Sequence, residues 1–354
     1  MLKFKIGKKT ISNNHPTYFI ADIAANHDGD LKKAKDLIYL CAEAGADAAK
    51  FQHFSAETIV SDYGFKSLKK KISHQKNWKK SVFKVYKDAS INLNWTKELK
   101  KTCRKVGIDF FSSPYSFRMV DHLDPYVPAY KIGSGDITWL EIIEHIAKKN
   151  KPVMIASGAS SFLEVKEAIN RIKKFNNKIV LMQCNTNYTA SANNFKFINL
   201  KVLEKYKKSF PKVILGLSDH THGHSTVLGS VAMGARVIEK HFTDDNDRIG
   251  PDHKFSMNPR TWKLMVEATR ELEYSMGDGV KKVEKNEKNT VVLQRRSIRL
   301  KNNLMKNQKI TKDNLSFLRP CPADSFPIHK YKNILGKKIK RNVKSGDYIK
   351  KSDI

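Results

Sequence analysis

Two lysines occur within runs of residues that are otherwise apolar and strand-like. Lys50 lies in Ala48–Gln52 (AAKFQ), and Lys131 lies in Tyr130–Gly135 (YKIGSG). Lys50 and Gln52 are two residues apart, so on a strand they face the same side. A lysine at a strand end can extend to solvent. Burying two unpaired ammonium groups would be costly, however, and an anion held between them would remove that cost. The pair therefore favours a phosphate site.

Small hydroxyl residues next to glycine follow two of the predicted strands. Ser134 and Gly135 come after the fourth strand, and Ser157 and Gly158 come just before the next helix. Their backbone N–H groups and hydroxyls suit the binding of a phosphate group. They support the same anion site as the lysines.

Histidines form a second candidate site at the ends of two later strands. The run Ser218–His224 (SDHTHGH) contains His220, and His241 lies at the end of the last strand. Two imidazoles from adjacent strand ends could hold one divalent ion, and they suit Mn²⁺, Fe²⁺ or Zn²⁺ better than Ca²⁺. A hydrolase site made of His220, His222 and His224 is the alternative, but it would leave the strand lysines unexplained.

Three acidic residues complete the set of reactive side chains. Asp22 ends the first strand, Glu239 should face the same side of its strand as His241, and Asp252 follows Gly250-Pro251. Each could alone be a helix cap or a surface carboxylate. Around a phosphate and a metal, they indicate general acid–base catalysis and the binding of sugar hydroxyls.

These residues are positioned by a repeated pattern of short apolar runs and amphipathic stretches. Eight runs are predicted to be strands: Tyr18–Ala24, Ala48–Gln52, Asp109–Ser113, Ala129–Gly133, Val153–Ser157, Ile179–Cys184, Val213–Leu217 and Val237–Phe242. Eight strands alternating with helices over about 250 residues are typical of a (β/α)8 TIM barrel, whose active site lies at the carboxyl ends of the strands. A doubly wound open sheet is the alternative, but no G-x-G-x-x-G motif follows the first strand.

The repeat does not cover the whole chain. Residues 1–280 are predicted to be the barrel domain, residues 281–295 a charged linker, and residues 296–354 a small, mostly β domain with Gly and Asn turns. A long insertion at residues 55–92 should lie over one end of the barrel.

Composition narrows the class of protein. The chain has 354 residues, 40% of them hydrophobic, and a net charge of +31. Its lysines are scattered, without the aromatic-interleaved pattern of a nucleic-acid-binding domain, so a Lys-rich surface is favoured over a nucleic-acid partner. No membrane span or secretory signal is predicted. Four widely spaced cysteines indicate free thiols and a cytoplasmic location.

Several longer motifs occur together, in the order typical of one family. They are Phe19–Gly29 (FIADIAANHDG), Ala44–Gln52 (AGADAAKFQ), Pro128–Asp136 (PAYKIGSGD), Gly216–Thr221 (GLSDHT), Val237–Thr243 (VIEKHFT) and Gly250–His253 (GPDH). With them the chain resembles the N-acetylneuraminate (sialic acid) synthase, or NeuB-like, family nearly end to end. The tail, with Leu318-Arg319-Pro320, resembles the antifreeze-like (SAF) domain of that family.

The resemblance implies a reaction and a set of contacts. The reaction is the condensation of phosphoenolpyruvate with an N-acetylmannosamine-like amino sugar, with Mn²⁺ on His220 and His241, or Mg²⁺ or Co²⁺ in its place. The residues implied to contact phosphoenolpyruvate are Lys50, Lys131, Ser113, Ser134, Ser157 and Ser218; those implied to contact the sugar are Asp22, Gln52, Tyr188 and Asp252. Arg319 would reach into the barrel of a partner subunit, which implies a domain-swapped homodimer.

The chain departs from the family pattern mainly on the predicted sugar side. Asp22 stands where Glu is usual, and Ala156-Ser157-Gly158 replaces the commoner Ser-Thr-Gly. After the sixth strand, either Asn185 or Asn187 could take the family's binding role. Synthesis of a related nonulosonic acid, legionaminic or pseudaminic acid, from a diacetamido-trideoxyhexose therefore stays an alternative. A module binding nucleic acid or acidic polysaccharide would instead show salt-dependent association and no turnover.

Overall fold

A computed structural model describes residues 2–70, 75–76 and 78–354. The chain forms two compact units, Met1–Gly277 and Asp278–Ile354. Part of the insertion predicted at residues 55–92 lies outside the described residues. Its described part forms three helices, α2 (Ala56–Ile59), α3 (Asp62–Ser67) and α4 (Val82–Ala89).

The first unit starts with an antiparallel hairpin that the sequence pattern did not predict. Its strands are β1 (Lys3–Ile6) and β2 (Lys9–Ser12). Alternate side chains of the hairpin, Phe4, Ile6 and Ile11, are buried in one cluster with the inward-facing residues of the later strands. The hairpin therefore covers the amino-terminal end of the barrel described next.

The eight predicted strands are all present and form one parallel sheet. They are β3 (Tyr18–Asp22), β4 (Ala48–His53), β5 (Asp109–Pro114), β6 (Tyr130–Ile132), β7 (Val153–Ala156), β8 (Ile179–Cys184), β9 (Ile214–Asp219) and β10 (Ala235–His241). The strand order is β5-β4-β3-β10-β9-β8-β7-β6, and the two end strands, β5 and β6, contact each other. The sheet is thus a nearly closed (β/α)8 barrel, which confirms the predicted fold class.

Helices surround the barrel. They are α1 (Leu31–Glu43), α5 (Thr96–Val106), α6 (Phe117–Leu123), α7 (Leu140–Lys148), α8 (Phe162–Lys173), α9 (Val202–Ser209), α10 (Ser225–Ala232) and α11 (Pro259–Ser275). Their starts follow from capping residues: Asp30 caps α1, and Ser161 and Asn258 form capping boxes at α8 and α11. Their apolar faces pack on the outward-facing strand residues in a second, larger core.

The second unit is a small domain with its own apolar core. Its regular elements are α12 (Lys288–Gln294) and the antiparallel pair β11 (Ser297–Leu300) and β12 (Leu315–Leu318). Part of the segment predicted to be a linker is therefore helical. The core is one cluster of aliphatic side chains from turns and short strands, which includes Ile298, Leu304 and Ile339.

Two further predictions concern the chain as a whole. All four cysteines are free thiols, as their spacing predicted. Among the described residues, no helix is long and apolar enough to cross a membrane.

Candidate active site

The carboxyl ends of the strands bring the predicted polar residues together. In the parallel register Asp22 lies between His241 on β10 and Lys50 on β4. Gln52 lies beside Ser113 on the next strand. All of these except the half-buried Gln52 are buried, so polar groups line the carboxyl end of a barrel whose lower interior is apolar.

Four charged side chains form an alternating row inside the barrel. The Nζ atom of Lys50 lies 2.5 Å from Asp22 Oδ2 and 3.9 Å from Glu239 Oε1. Lys131 Nζ lies 3.1 Å from the same Glu239 oxygen. Ser218 Oγ also donates to that oxygen, at 3.2 Å. The two lysines are therefore buried and paired, and the row carries no net charge when all four groups are ionised.

The carboxylates of this row differ in their electrostatics. Burial alone would raise the pKa of Glu239, but Lys131 and Lys50 outweigh burial and lower it to about 2. For Asp22, burial raises the pKa more than Lys50 lowers it, and Glu239 adds to the rise. The pKa of Asp252 is raised to about 6, first by burial and then by Asp22. Glu239 is thus the carboxylate that stays ionised most firmly, and its second oxygen has no hydrogen-bond partner among the described residues.

The two predicted histidines face each other, with ring centroids 5.3 Å apart. His220 Nδ1 lies 2.9 Å from the carbonyl oxygen of Asn185. Since a carbonyl can only accept, Nδ1 carries the proton and Nε2 keeps its lone pair. Nδ1 of His241 is buried without a hydrogen-bond partner in the described part of the chain, 3.9 Å from Asp252 Oδ2.

Both imidazoles are neutral at physiological pH. Burial, and then the neighbouring His241, lower the pKa of His220 to about 3. Burial and then Lys50 lower that of His241 to about 3. Among the described residues no group of three His, Cys, Asp or Glu side chains is arranged to hold a metal. A metal here would take two imidazole nitrogens, and its other ligands would come from water or substrate.

Serine and glycine residues form the side of the site next to Lys131. Ser134 Oγ accepts a 3.0 Å hydrogen bond from Gly158 N, and Ser157 Oγ donates to Met182 O. A Cβ atom at Gly158 would lie 2.9 Å from Ser134 Oγ, so only glycine fits there without rearrangement. Ser113 Oγ, buried and without a hydrogen-bond partner in the described chain, is available to a ligand.

The loop after β8 lies next to Ser113, Ser134, Ser157 and Gly158, which we call the serine cradle. Asn185 Nδ2 donates to Phe197 O, and Asn187 Oδ1 accepts from Thr189. One atom of each amide is therefore bonded within the loop. Thr186 contacts the cradle instead: its Cγ2 would lie 2.5 Å from a Cβ at Gly158. No pattern in the sequence predicted a threonine in this position.

Aromatic rings and one carboxylate close the side next to the histidines. The Tyr188 ring lies 4.5 Å from that of His220, and the Phe255 ring lies 4.9 Å from that of His241. Asp252 Oδ2 accepts a 3.4 Å hydrogen bond from Ala25 N, which ties its loop to the end of β3. Tyr188 and Asp252 thus lie beside the two histidines.

Three more residues were singled out in the sequence: Arg319, His222 and His224. Arg319 is exposed and follows β12 in the second unit. His222 is exposed and contacts the carbonyl oxygen of Ala190, and His224 precedes α10. The three histidines of the hydrolase alternative form no metal-binding group in the described chain.

A buried ion pair behind the histidines was missed by the sequence analysis. Lys240 Nζ bonds to Asp219 Oδ2 and donates to Thr221 O at 2.6 Å, and Asp219 also accepts from Thr226 at 2.8 Å. These charges directly precede His220 and His241 in sequence. The sequence pattern that could have predicted this pair is a charged residue within each of two adjacent apolar strands, directly before a candidate metal ligand.

The fold and the site define a class: a (β/α)8 barrel enzyme with paired lysines, carboxylates and neutral imidazoles at the carboxyl ends of its strands. The model of the NeuB family matches residues 37–281, and that of the SAF domain matches residues 295–354. The chain therefore belongs to the NeuB family and carries a SAF domain, which confirms the resemblance seen in the sequence.

Similar proteins include two synthases from Campylobacter jejuni. An N,N'-diacetyllegionaminic acid synthase is 36% identical over 94% of this chain and 99% of its own. A pseudaminic acid synthase is 33% identical over 95% and 96%. The crystal structure of N-acetylneuraminic acid synthetase from Leptospira borgpetersenii, in complex with citrate, has a TM-score of 0.70 and 27% identity over 82% of this chain and 95% of that one.

Proposed function

We propose that this protein is a nonulosonic acid synthase, which condenses phosphoenolpyruvate with an N-acetylated amino sugar to give a nine-carbon 2-keto acid and phosphate. The observation that carries the proposal is the convergence of two buried lysines, two carboxylates and two neutral histidines at one end of the barrel. The names of its relatives support the same class of reaction. The acceptor is either an N-acetylmannosamine-like sugar or a diacetamido-trideoxyhexose; the identity to the legionaminic acid synthase favours the second.

Phosphoenolpyruvate would bind beside Lys131 and the serine cradle. Lys50 and Lys131 would attract its charges, and Ser113, Ser134 and Gly158 would surround the phosphate. Because these groups are already held in place by burial and hydrogen bonds, little reorganisation is needed on binding, which favours catalysis by preorganisation.

The charge balance of the site supports a divalent metal. Asp22 and Glu239 already neutralise Lys50 and Lys131, so phosphoenolpyruvate brings negative charge that the described side chains of the row do not offset. His220 and His241, both neutral and one with an unpartnered buried nitrogen, fit such an ion, with Mn²⁺ proposed and Mg²⁺ or Co²⁺ as alternatives. When bound, it would polarise the aldehyde of the acceptor.

The carboxyl groups would move the protons. C3 of phosphoenolpyruvate attacks the aldehyde carbon, water adds at C2, and phosphate leaves by cleavage of the C2–O bond. Glu239, held ionised, is suited to accept the proton of the attacking water. Asp252, whose pKa is raised to about 6, is suited to protonate the oxygen that was the aldehyde.

Two further parts of the proposal concern the second unit and the setting. Arg319 would contact the sugar from a partner subunit in a domain-swapped homodimer. The free thiols agree with action in the cytoplasm, where phosphoenolpyruvate would be the co-substrate.

The test is phosphate release from phosphoenolpyruvate with Mn²⁺, comparing N-acetylmannosamine, diacetamido-trideoxyhexoses and a control without sugar. We expect release only with one class of sugar, and loss of release with a chelator. Release without any sugar would favour a hydrolase, and no release with any of these sugars would contradict the proposal.

A further inference from the structure

An aromatic group beside the site is not used in the proposal above. It consists of Phe54, which follows β4, Tyr86 on α4, and Tyr115, which follows β5. The Phe54 ring lies 5.5 Å from that of Tyr86 and 5.9 Å from that of Tyr115. Phe54 thus connects the two phenols, one on the barrel and one on the insertion, and we call these three residues the aromatic wall.

The aromatic wall borders the charged site. The hydroxyl of Tyr115 would lie 3.2 Å from a Cβ atom at Gly133, the residue that directly precedes Ser134. Burial, and then the Asp252 carboxylate, raise the pKa of the Tyr86 phenol. Tyr188 lies near both phenols: it raises the pKa of Tyr115, and Tyr86 in turn raises the pKa of Tyr188, in each case after the larger effect of burial. The wall therefore continues the ring of side chains around Asp22 and Asp252.

The two hydroxyls are available for a ligand. Neither the Tyr86 hydroxyl nor the Tyr115 hydroxyl forms a hydrogen bond in the described part of the chain, and both residues are half-buried. A tyrosine side chain combines an apolar ring with a polar tip. A hydroxyl without a protein partner at the edge of an active site is free to bond a substrate.

The charges next to the wall indicate which reactant it meets. Carboxyl groups lie near both phenols: Asp252 raises the pKa of Tyr86, and Asp136 and then Asp22 raise that of Tyr115, in each case after burial. Carboxylates accept hydrogen bonds from sugar hydroxyls and amides. Aromatic faces with phenol edges suit acetamido methyl groups and ring hydroxyls together.

We infer that Tyr86 and Tyr115 recognise the acceptor, an uncharged N-acylated amino sugar, and that Tyr86 makes the insertion a determinant of acceptor specificity. This inference rests on the proposed synthase function. It places recognition of the sugar on α4, an element outside the β/α repeat, whereas the phosphoenolpyruvate contacts lie on the barrel strands.

The experiment compares Tyr86→Phe and Tyr115→Phe with a matched control, Tyr63→Phe. Tyr63 lies on α3 of the same insertion but is 83% exposed. With the acceptor that supports turnover, we expect each of the first two variants to raise the KM for the sugar about fivefold, the order expected for one lost hydrogen bond between neutral groups. The KM for phosphoenolpyruvate and the melting temperature should stay those of the wild type.

The outcomes separate this inference from the proposed function. An active wild-type enzyme whose Tyr86→Phe and Tyr115→Phe variants match Tyr63→Phe in sugar KM would overturn the inference alone. A rise in the KM for phosphoenolpyruvate instead would assign the wall to the other substrate. A wild-type enzyme that releases no phosphate with any acceptor would overturn the proposed function, and the inference with it.

Discussion

The buried ion pair of Lys240 and Asp219 should contribute strongly to the stability of the barrel. Both side chains are no more than 1% exposed, and Asp219 is held by the hydroxyls of Thr221 and Thr226 as well as by the ammonium group. In Asp219→Asn only one oxygen remains to accept these hydrogen bonds, and Lys240 keeps a buried charge without a counter-ion. Removing one partner of a buried pair costs about 3–5 kcal/mol. Because Asn has nearly the same shape as Asp, we expect this change to cost about 3 kcal/mol.

The assay is thermal and chemical denaturation of the full chain. For a domain of this size a loss of about 3 kcal/mol corresponds to a melting temperature lower by roughly 6–12 °C. The matched control is Asp62→Asn, which breaks the exposed pair of Asp62 and Lys66 and should change stability by less than about 0.5 kcal/mol.

A double variant separates the lost charge pair from a general loss of packing. Lys240→Met alone leaves Asp219 unpaired, whereas Asp219→Asn combined with Lys240→Met leaves no buried charge. The double variant should therefore be more stable than the sum of the two single changes predicts. If Asp219→Asn melts like the wild type, or if the two changes simply add, the pair does not have the role assigned to it.

The pH dependence of this pair follows from the pKa of Asp219. Burial alone would raise that pKa, but Lys240 and the hydrogen bonds outweigh burial and lower it. The stabilisation is therefore complete above the unfolded-state pKa of about 4 and is lost as the pH falls through the lower folded-state value. In denaturation measured from pH 7 to pH 3, the difference between wild type and Asp219→Asn should narrow below about pH 4; a constant difference would contradict this origin.

Three further predictions test the proposed site. His220→Ala should abolish both turnover and Mn²⁺ binding measured by calorimetry; unchanged Mn²⁺ affinity would refute the assignment of this ligand. Gly158→Ala places a methyl group 2.9 Å from Ser134 Oγ, so the KM for phosphoenolpyruvate should rise by roughly tenfold or more. An unchanged KM would show that the serine cradle does not bind the phosphate. Lys131→Met removes the ammonium group nearer to Glu239. We therefore expect weaker phosphoenolpyruvate binding and a higher value for the lower apparent pKa of the kcat–pH profile. An unchanged lower pKa would count against Glu239 as the base.

Local periodicity was sufficient to predict the barrel. Each of the eight strands is a short apolar run, and helices separate them, so the fold follows from patterns within about ten residues. The same period of two placed Lys50 and Gln52 on one face. The hairpin of β1 and β2 was missed because two four-residue strands rich in lysine are too short to show a clear apolar pattern. Their apolar side chains become buried only where the hairpin packs on the end of the closed barrel.

The sequence determined which reactive groups the site contains, because their types and their places at strand ends are local properties. Only the tertiary structure decided which groups meet. Lys131 and Glu239 lie on β6 and β10, four strands apart in the sheet order, yet their charged atoms are 3.1 Å apart. Closure of the sheet turns both side chains towards one interior, and strand register aligns Asp219 with Lys240. Closure and register depend on the packing of the whole barrel, which no local pattern in the sequence contains.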